Sequence, residues 1–272
     1  VTFDEEQRLA EERRLRREIE QKSQYLDQTV IRHYNQRAYK SKRERRDQSD
    51  IIKMRNYHNI IKFILIGTHA NPGQRALDLG CGKGGDLNKW EKAQIGTYMG
   101  IDISDSSIRE AIRRFRNQRF EFTVNFITGD CFGTPLPAVL EAAQIDFDRA
   151  LPVDVVSMQF CMHYAFESEE KATTMIRNVA WALKTGGKFI GTIPNSEFIK
   201  YKLKRRKSPS DKGFGNSLYS VTFPNEIPED GDFSKSPYGN VYNYFLKDAI
   251  DDVPEYVVPF NNFRSLASQY GL

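Results

Sequence analysis

The run Ala76-Leu77-Asp78-Leu79-Gly80-Cys81-Gly82-Lys83-Gly84-Gly85-Asp86 constrains this chain more than any other stretch. Apolar residues lead directly into closely spaced glycines and then into a helix-compatible segment. Glycine permits the tight turn this requires and lets backbone N–H groups approach a ligand closely. The pattern then repeats. Strands are expected at 75–79, 97–102, 123–128, 153–159 and 188–192. Helices fit 86–91, 106–117, 136–142 and 169–183, the last terminated by Thr185-Gly186-Gly187. Short β runs alternating with helices imply an α/β fold with a doubly wound, mostly parallel sheet, whose ligand lies at the carboxyl ends of the strands.

The flanks read differently. Residues 5–24 alternate Glu and Arg clusters with sparse Leu9, Leu15 and Ile19, the pattern of an exposed helix. Residues 32–50, with Lys42, Arg43, Arg45 and Arg46, hold too few apolar side chains for a core and read as a basic arm, either simply flexible or in contact with RNA phosphates. An amphipathic helix is expected from Ile51, with Ile52, Ile60, Ile61, Ile64 and Leu65 as its apolar positions and Gly67 as its stop. Beyond Pro194 the sequence is irregular, and residues 195–256 read as an insertion capping the sheet edge, followed by a short helix at 261–269. The expected organisation is a charged segment over 1–50 and one catalytic domain over 51–272. Because the chain stops at Leu272 directly after that helix, a fragment lacking the last strands of its sheet is expected.

Charge lies in blocks. The net value is only +4, yet the stretch from Arg32 to Lys62 holds ten bases against three acids. Lys200 to Lys212 adds seven bases against Asp211 alone, whereas Glu226 to Glu255 carries eight acids and two bases. A phosphate-rich partner would find two landing zones. No run approaches the roughly 20 apolar residues of a membrane-spanning helix, and the N-terminus is charged rather than apolar, so a soluble intracellular protein without membrane partners is expected. The three cysteines Cys81, Cys131 and Cys161 are isolated and read as reduced thiols. Neither they nor the four histidines have metal-ligand spacing, and no metal is expected.

Gly80, Gly82 and Gly85 satisfy a dinucleotide fingerprint, and Asp102 lies 22 residues beyond Gly80 at the end of the second strand, where it can take ribose hydroxyls. Alone this pattern fits a dehydrogenase as well as a methyltransferase. Three features favour S-adenosylmethionine over a dinucleotide. Asp78, just before the loop, is a carboxylate suited to a cationic methionine moiety and would repel a pyrophosphate. The third strand ends Thr128-Gly129-Asp130, offering an acid to an adenine amino group. The fourth ends Met158-Gln159-Phe160, placing a polar side chain beside the cofactor. Taken singly, Asp102 and Asp130 could equally cap the elements that follow them.

The glycine run, together with Gln159-Phe160-Cys161-Met162-His163-Tyr164-Ala165-Phe166-Glu167-Ser168, Gly191-Thr192-Ile193-Pro194-Asn195 and Val253-Pro254-Glu255-Tyr256, resembles the cellular mRNA cap guanine-N7 methyltransferases from about Tyr34 onward. The resemblance implies a class I, Rossmann-like methyltransferase fold and transfer of a methyl group from S-adenosylmethionine to N7 of the terminal guanine of GpppN-RNA, leaving S-adenosylhomocysteine. It implies cofactor contacts from Lys62, Gly80, Asp102, Asp130, Gln159 and Tyr164, to which the strand-end reading adds Asp78 and Gly82. It implies cap contacts from Asn59, Lys83, Asp86, Phe160, His163, Tyr242 and Glu255. Where many relatives have paired asparagines followed by tryptophan, this chain has His58-Asn59-Ile60, and His58 joins the cap-side set. The family also sets a C-terminal aromatic against the cap, in a segment this chain does not contain. A nuclear location and contact with other capping or transcription machinery follow from the same resemblance.

The chemistry supports these assignments independently. A guanine has two faces and a polar edge, which stacking aromatics such as Phe160 and Tyr242 and an acceptor such as Glu255 can orient, while Lys83 meets phosphate. Guanine N7 attacks with a lone pair and carries no proton, so no acid–base residue is needed and His163, Tyr164 and Phe160 serve as positioning groups. Two alternatives stay open on the sequence: another RNA or small-molecule methyl acceptor, and a non-catalytic RNA-binding module.

Overall fold

The computed structural model describes residues 27–36, 49–208 and 210–272, together with Arg14 and Gln24. The expected exposed helix over 5–24 lies almost wholly outside the described residues, as do the basic positions Lys42, Arg43, Arg45 and Arg46.

Five strands form a parallel sheet in the order β3-β2-β1-β4-β5: β1 (Arg75–Leu79), β2 (Thr97–Asp102), β3 (Thr123–Thr128), β4 (Val153–Gln159) and β5 (Leu183–Thr192). β1 and β4 are neighbours, so the chain reverses its winding between them. A crevice opens beyond their carboxyl ends, where doubly wound sheets bind ligands. Helices cover both faces. On one side Ile66 of α2 (Ile52–His69) and Leu87 and Trp90 of α3 (Leu87–Lys92) pack with Tyr98 and Val155. On the other, α5 (Leu136–Ala142), α7 (Glu169–Ala182) and α9 (Phe260–Ser268) bury Leu140, Ile176 and Leu266 against Leu77, Ile101 and Met158. With both faces buried, β1 and β4 are near-continuous apolar runs rather than alternating ones. The short helix α6 (Phe147–Ala150) precedes β4.

Helix starts follow their capping residues. Ser104 accepts from the Ser107 backbone N–H ahead of α4 (Asp105–Arg116), Ser168 from Lys171 N–H ahead of α7, and Asn195 from Phe198 N–H ahead of α8 (Ser196–Lys204).

Four expectations need correction. Residues 27–36 form a helix, α1, so the first residues of the arm expected over 32–50 are helical: Val30, Ile31 and Tyr34 repeat at helical spacing and line the crevice. α2 runs through Gly67 to His69, because Gly67 has a negative φ and a mid-helix glycine costs only about 1 kcal/mol against alanine, too little to end a helix packed through Ile66. β5 begins at Leu183; the Thr185-Gly186-Gly187 turn becomes an irregularity in the ladder, which pairs Val153 with Leu183 and Val155 with Lys188. Finally, the region after Pro194 is regular. It holds α8 and an antiparallel sheet of β6 (Gly213–Gly215), β7 (Tyr219–Thr222), β8 (Val241–Leu246) and β9 (Ile250–Tyr256). That sheet buries Val221, Tyr242 and Phe223 against Ile199 and Leu203 of α8. β9 also touches the 3₁₀ turn Met162–Glu167, and Gly239 N–H donates to the Phe166 carbonyl.

One buried side chain fixes the loop after β3. Asn178 of α7 donates to the carbonyls of Cys131 and Thr134, both at 2.9 Å, and accepts from Leu136 N–H at 2.7 Å. Replacing it leaves three backbone groups buried without partners. Asn178→Leu is expected to lower unfolding stability by about 3 kcal/mol, read as a reduced urea midpoint with unchanged slope.

Candidate active site

The crevice is a cleft of about 1330 Å³. That exceeds the usual range for one small ligand, roughly 300–1,000 Å³, and leaves room for two groups side by side. Its walls come from α1, α2, the loops after β1 to β4, and the β8–β9 hairpin.

The glycine turn forms the floor. Gly80 and Gly82 both have positive φ; a Cβ on Gly80 would lie 2.7 Å from the Cys161 sulfur, whereas one on Gly82 would enter open space. Gly82 therefore keeps a cradle clear. Its N–H donates to Asp102 Oδ2 and Ser104 N–H donates to Oδ1, both at 2.8 Å. The Asp102 carboxylate is thus held between two loops with lone pairs left for hydroxyl donors, and burial pushes its pKa up. Asp130 Oδ1 accepts from the N–H groups of Phe132 and Gly133, both at 2.9 Å, and Asp130 lines the same cleft. Two carboxylates, an open glycine cradle and an apolar wall suit the ribose and adenine of a nucleoside.

Beneath them lies Asp78, only 3% exposed, its Oδ2 accepting from the Tyr98 hydroxyl at 2.9 Å. Burial, with Asp86 nearby, pushes it up to about 7. Asp86 itself is flanked by Lys62 and Lys89, each 2.7 Å away. Lys62, expected on the cofactor, and Asp86, expected on the cap, are therefore partners of each other. Lys89 also donates to Asn59 at 3.1 Å. Lys83 lines the cleft beside them.

Gln159 is tied into the sheet end: it accepts from the Thr192 hydroxyl and donates to that of Ser157. The next residue, Phe160, turns left-handed at φ 58°, a conformation that costs a non-glycine residue roughly 1–2 kcal/mol. Its N–H is anchored on Thr192, and the turn aims the ring into the cleft against His58, with centroids 4.7 Å apart. Burial, then the Lys62 charge, lowers the His58 pKa, favouring a neutral imidazole beside the Phe160 ring.

Tyr164 lines the cleft too, its hydroxyl 2.9 Å from that of Tyr34 on α1. Behind it sits a closed polar cluster. The His163 ring lies tilted against Tyr164 with centroids 4.4 Å apart, its Nε2 is 3.5 Å from Glu255 Oε1, and the Tyr242 hydroxyl donates to Glu255 Oε2 at 2.8 Å. His163, Tyr242 and Glu255 are each at most 4% exposed. The cluster adjoins the cleft through Tyr164, and its three members do not line the wall themselves. Among the described residues neither imidazole nitrogen of His163 has a hydrogen-bond partner. In burying Tyr242 and Glu255 the structure departs from an exposed stacking platform, because the two pair across β8–β9 and Tyr242 packs into the core beneath α8.

Sequence reading missed α1. Asn35 accepts from the hydroxyls of Ser104 and Ser106 at 2.7 and 2.6 Å, and Asp27 pairs with Lys171 at 2.7 Å. The helical repeat of Val30, Ile31 and Tyr34 was the available signal. Arg114 of α4 and the 248–251 turn also reach the cleft. Among the described residues no group of side chains could hold a metal ion, and no helix is long and apolar enough to cross a membrane.

Fold and cleft together define a class I, S-adenosylmethionine-dependent type of methyltransferase fold. Comparison with known proteins narrows this. Residues 17–272 match the mRNA (guanine-N(7))-methyltransferase domain, and the chain belongs to that family. It is 51% identical to the mRNA cap guanine-N(7) methyltransferase of Saccharomyces cerevisiae, over 98% of this chain and 62% of that protein. It is 49% identical to the protein of that name in Eremothecium gossypii, over 91% and 57%, and 45% identical to that of Schizosaccharomyces pombe, over 90% and 66%. The chain thus spans about six-tenths of the length of these relatives.

Asp78 yields a pH prediction. A carboxyl whose folded pKa is raised binds its proton more tightly in the folded state, so its ionisation costs stability as pH climbs from the unfolded value of 3.8 through about 7. Asn cannot ionise. Asp78→Asn should gain stability relative to the parent between pH 5 and 8, measured by denaturant midpoints at each pH; parallel curves would show that Asp78 is ionised throughout.

Proposed function

We propose that this chain is the catalytic part of an mRNA cap guanine-N7 methyltransferase, moving a methyl group from S-adenosylmethionine to N7 of the terminal guanine of GpppN-RNA. The observation that carries the reading is the adjacency, through Tyr164 and Phe160, of a nucleoside cradle and the sealed His163–Glu255–Tyr242 cluster. Family membership and the names of the fungal relatives support it.

Bound S-adenosylmethionine supplies an electrophilic methyl carbon. The chain's own groups do the rest by positioning. Asp102 accepts from the ribose hydroxyls, Asp130 from the adenine amino group, and Gly80 and Gly82 keep the backbone close. Gln159 and Tyr164 border the reacting end, and Asp78 faces the cationic methionine portion. On the acceptor side Phe160 and His58 offer ring faces, and Lys83 and Asn59 face the phosphates and ribose, while Lys62 stays on the cofactor side. Lys62 and Lys89 balance Asp86. The Glu255 carboxylate, held by the Tyr242 hydroxyl, stands behind Tyr164 and backs the guanine side of the cleft without lining it. It also stabilises the positive charge that the purine gains when N7 is alkylated, an interaction strengthened where water is excluded. His163 positions Tyr164 from behind and moves no proton, because N7 has none to give up.

Capped nascent RNA is the implied partner, the nucleus the implied place of work, and other capping or transcription components the implied company. The test is transfer of labelled methyl from S-adenosylmethionine to GpppA or GpppG, with uncapped triphosphate RNA as control and the product mapped for N7-methylguanine. Label appearing equally on uncapped RNA, or at another position, would overturn the acceptor.

Two substitutions separate the two halves of the site. Asp102→Ala should weaken cofactor binding by roughly 10- to 100-fold, since it removes the hydroxyl acceptor and frees two backbone N–H groups. Glu255→Ala should cut cap methylation by about 100-fold while calorimetric cofactor affinity stays within about threefold of the parent. The reverse pattern would redraw the site.

A further inference from the structure

α8 leaves the sheet immediately after β5 and packs inward through Ile199 and Leu203. Its outer stripe is Phe198, Tyr201, Lys202 and Arg205, at i, i+3, i+4 and i+7, which share one helix face. Phe198 and Tyr201 are 48% and 49% exposed and stack on each other, centroids 6.4 Å apart and planes 20° from parallel. The Arg205 guanidinium lies 3.7 Å from the Tyr201 ring centroid. The Lys202 ammonium stands 6.0 Å from Phe198 and 5.8 Å from Phe214 of β6. Lys204, Lys207 and Lys212 are exposed around this group. Of the nearby acids, Asp232 is paired with Lys200, leaving Glu197, Asp211 and Asp230 against the excess of bases.

Exposed aromatic rings normally cost solubility, and isolated lysines normally solvate. A stacked aromatic pair clamped by cations at helical spacing suits a ligand with flat π-faces and a regular run of negative charge. That ligand is single-stranded nucleic acid, bound by stacking its bases on the rings and its phosphates on the surrounding basic side chains. A phosphorylated peptide would satisfy the lysines and leave Phe198 and Tyr201 unused.

Position fixes which nucleotides arrive. Thr192, which anchors Phe160 and Gln159 at the cleft, is six residues from Phe198. Six residues of chain reach at most about 21 Å, so the platform lies within a few nucleotides of the acceptor site. We propose that the outer face of α8, with Phe214, binds the single-stranded RNA that follows the 5′ end held in the cleft. The source of that RNA rests on the cap-methylation reading; the affinity of the surface does not.

The test uses the whole chain and an uncapped, unstructured 15-nucleotide RNA carrying a fluorophore, with anisotropy as readout and no methyl transfer involved. The variant Phe198→Ala/Tyr201→Ala changes only half-exposed side chains and should weaken RNA binding about tenfold or more. Lys202→Gln/Arg205→Gln should lower the salt dependence of log K by roughly 0.7 for each phosphate no longer neutralised. In parallel, KM for a capped 15-mer should rise in the aromatic variant while that for GpppG is unchanged. Unaltered RNA affinity in the aromatic variant would overturn the proposal. So would equal losses on GpppG and the capped 15-mer, or loss of binding to a phosphoserine peptide without loss of RNA binding. If the parent binds RNA through these residues yet methylates no cap, the surface assignment stands and the proposed reaction falls.

Discussion

The carboxylate of Asp102 joins two parts of the molecule that would otherwise be independent. It accepts one backbone N–H from Gly82 in the turn after β1 and another from Ser104 at the head of α4. Ser104 in turn caps its own helix and donates its hydroxyl to Asn35 of α1. One half-buried acid thus sets the glycine turn, the start of α4 and, through a single intermediate, the helix closing the front of the cleft. Its ionised form is the better acceptor for all of these, yet its surroundings raise its pKa. Two backbone donors offset that burial in part.

The same logic of partnered burial organises the acceptor side. Asp86 is nearly inaccessible and is balanced by two lysines, while Glu255 is sealed and held by a phenol on one oxygen, with an imidazole near the other. A buried charge left without partners would cost several kcal/mol, so these arrangements are stable only as complete sets. Phe160 shows the complementary device: its left-handed backbone is an unfavourable local choice that the sheet end enforces through Thr192.

How much of this could be read from the chain follows from where each element finds its stabilisation. The first four strands have the expected limits: β1, β2 and β4 are largely buried on both faces, β3 alternates as an edge strand should, and glycine or capping residues follow them. The residues at the strand ends, Asp78, Gly80, Asp102, Asp130 and Gln159, come together around one cleft because topology alone delivers them there. The β6–β9 sheet was illegible: its strands are short, with glycine, proline and acids inside them, and they hold only by packing on α8 and the 3₁₀ turn. α1 was hidden by its charge, since three apolar positions among polar neighbours give too weak a periodicity without the cleft to receive them. That Tyr242 and Glu255 would seal each other depends on cross-strand register, which no local pattern specifies.

Ties between Asp50 and Lys247, Ser49 and Asp248, and Arg55 and the Asp248 carbonyl bind the residues just ahead of α2 and its first turn to the turn between β8 and β9. During synthesis the cradle made by the β1 and β2 loops exists long before its opposite wall. The ribosome must add a further 151 residues after Ser104 to reach Glu255, which at about 5–20 residues per second takes on the order of ten seconds. The wall opposite that cradle is therefore the last to be synthesised, and its β8–β9 hairpin is held against the first helices by these ties.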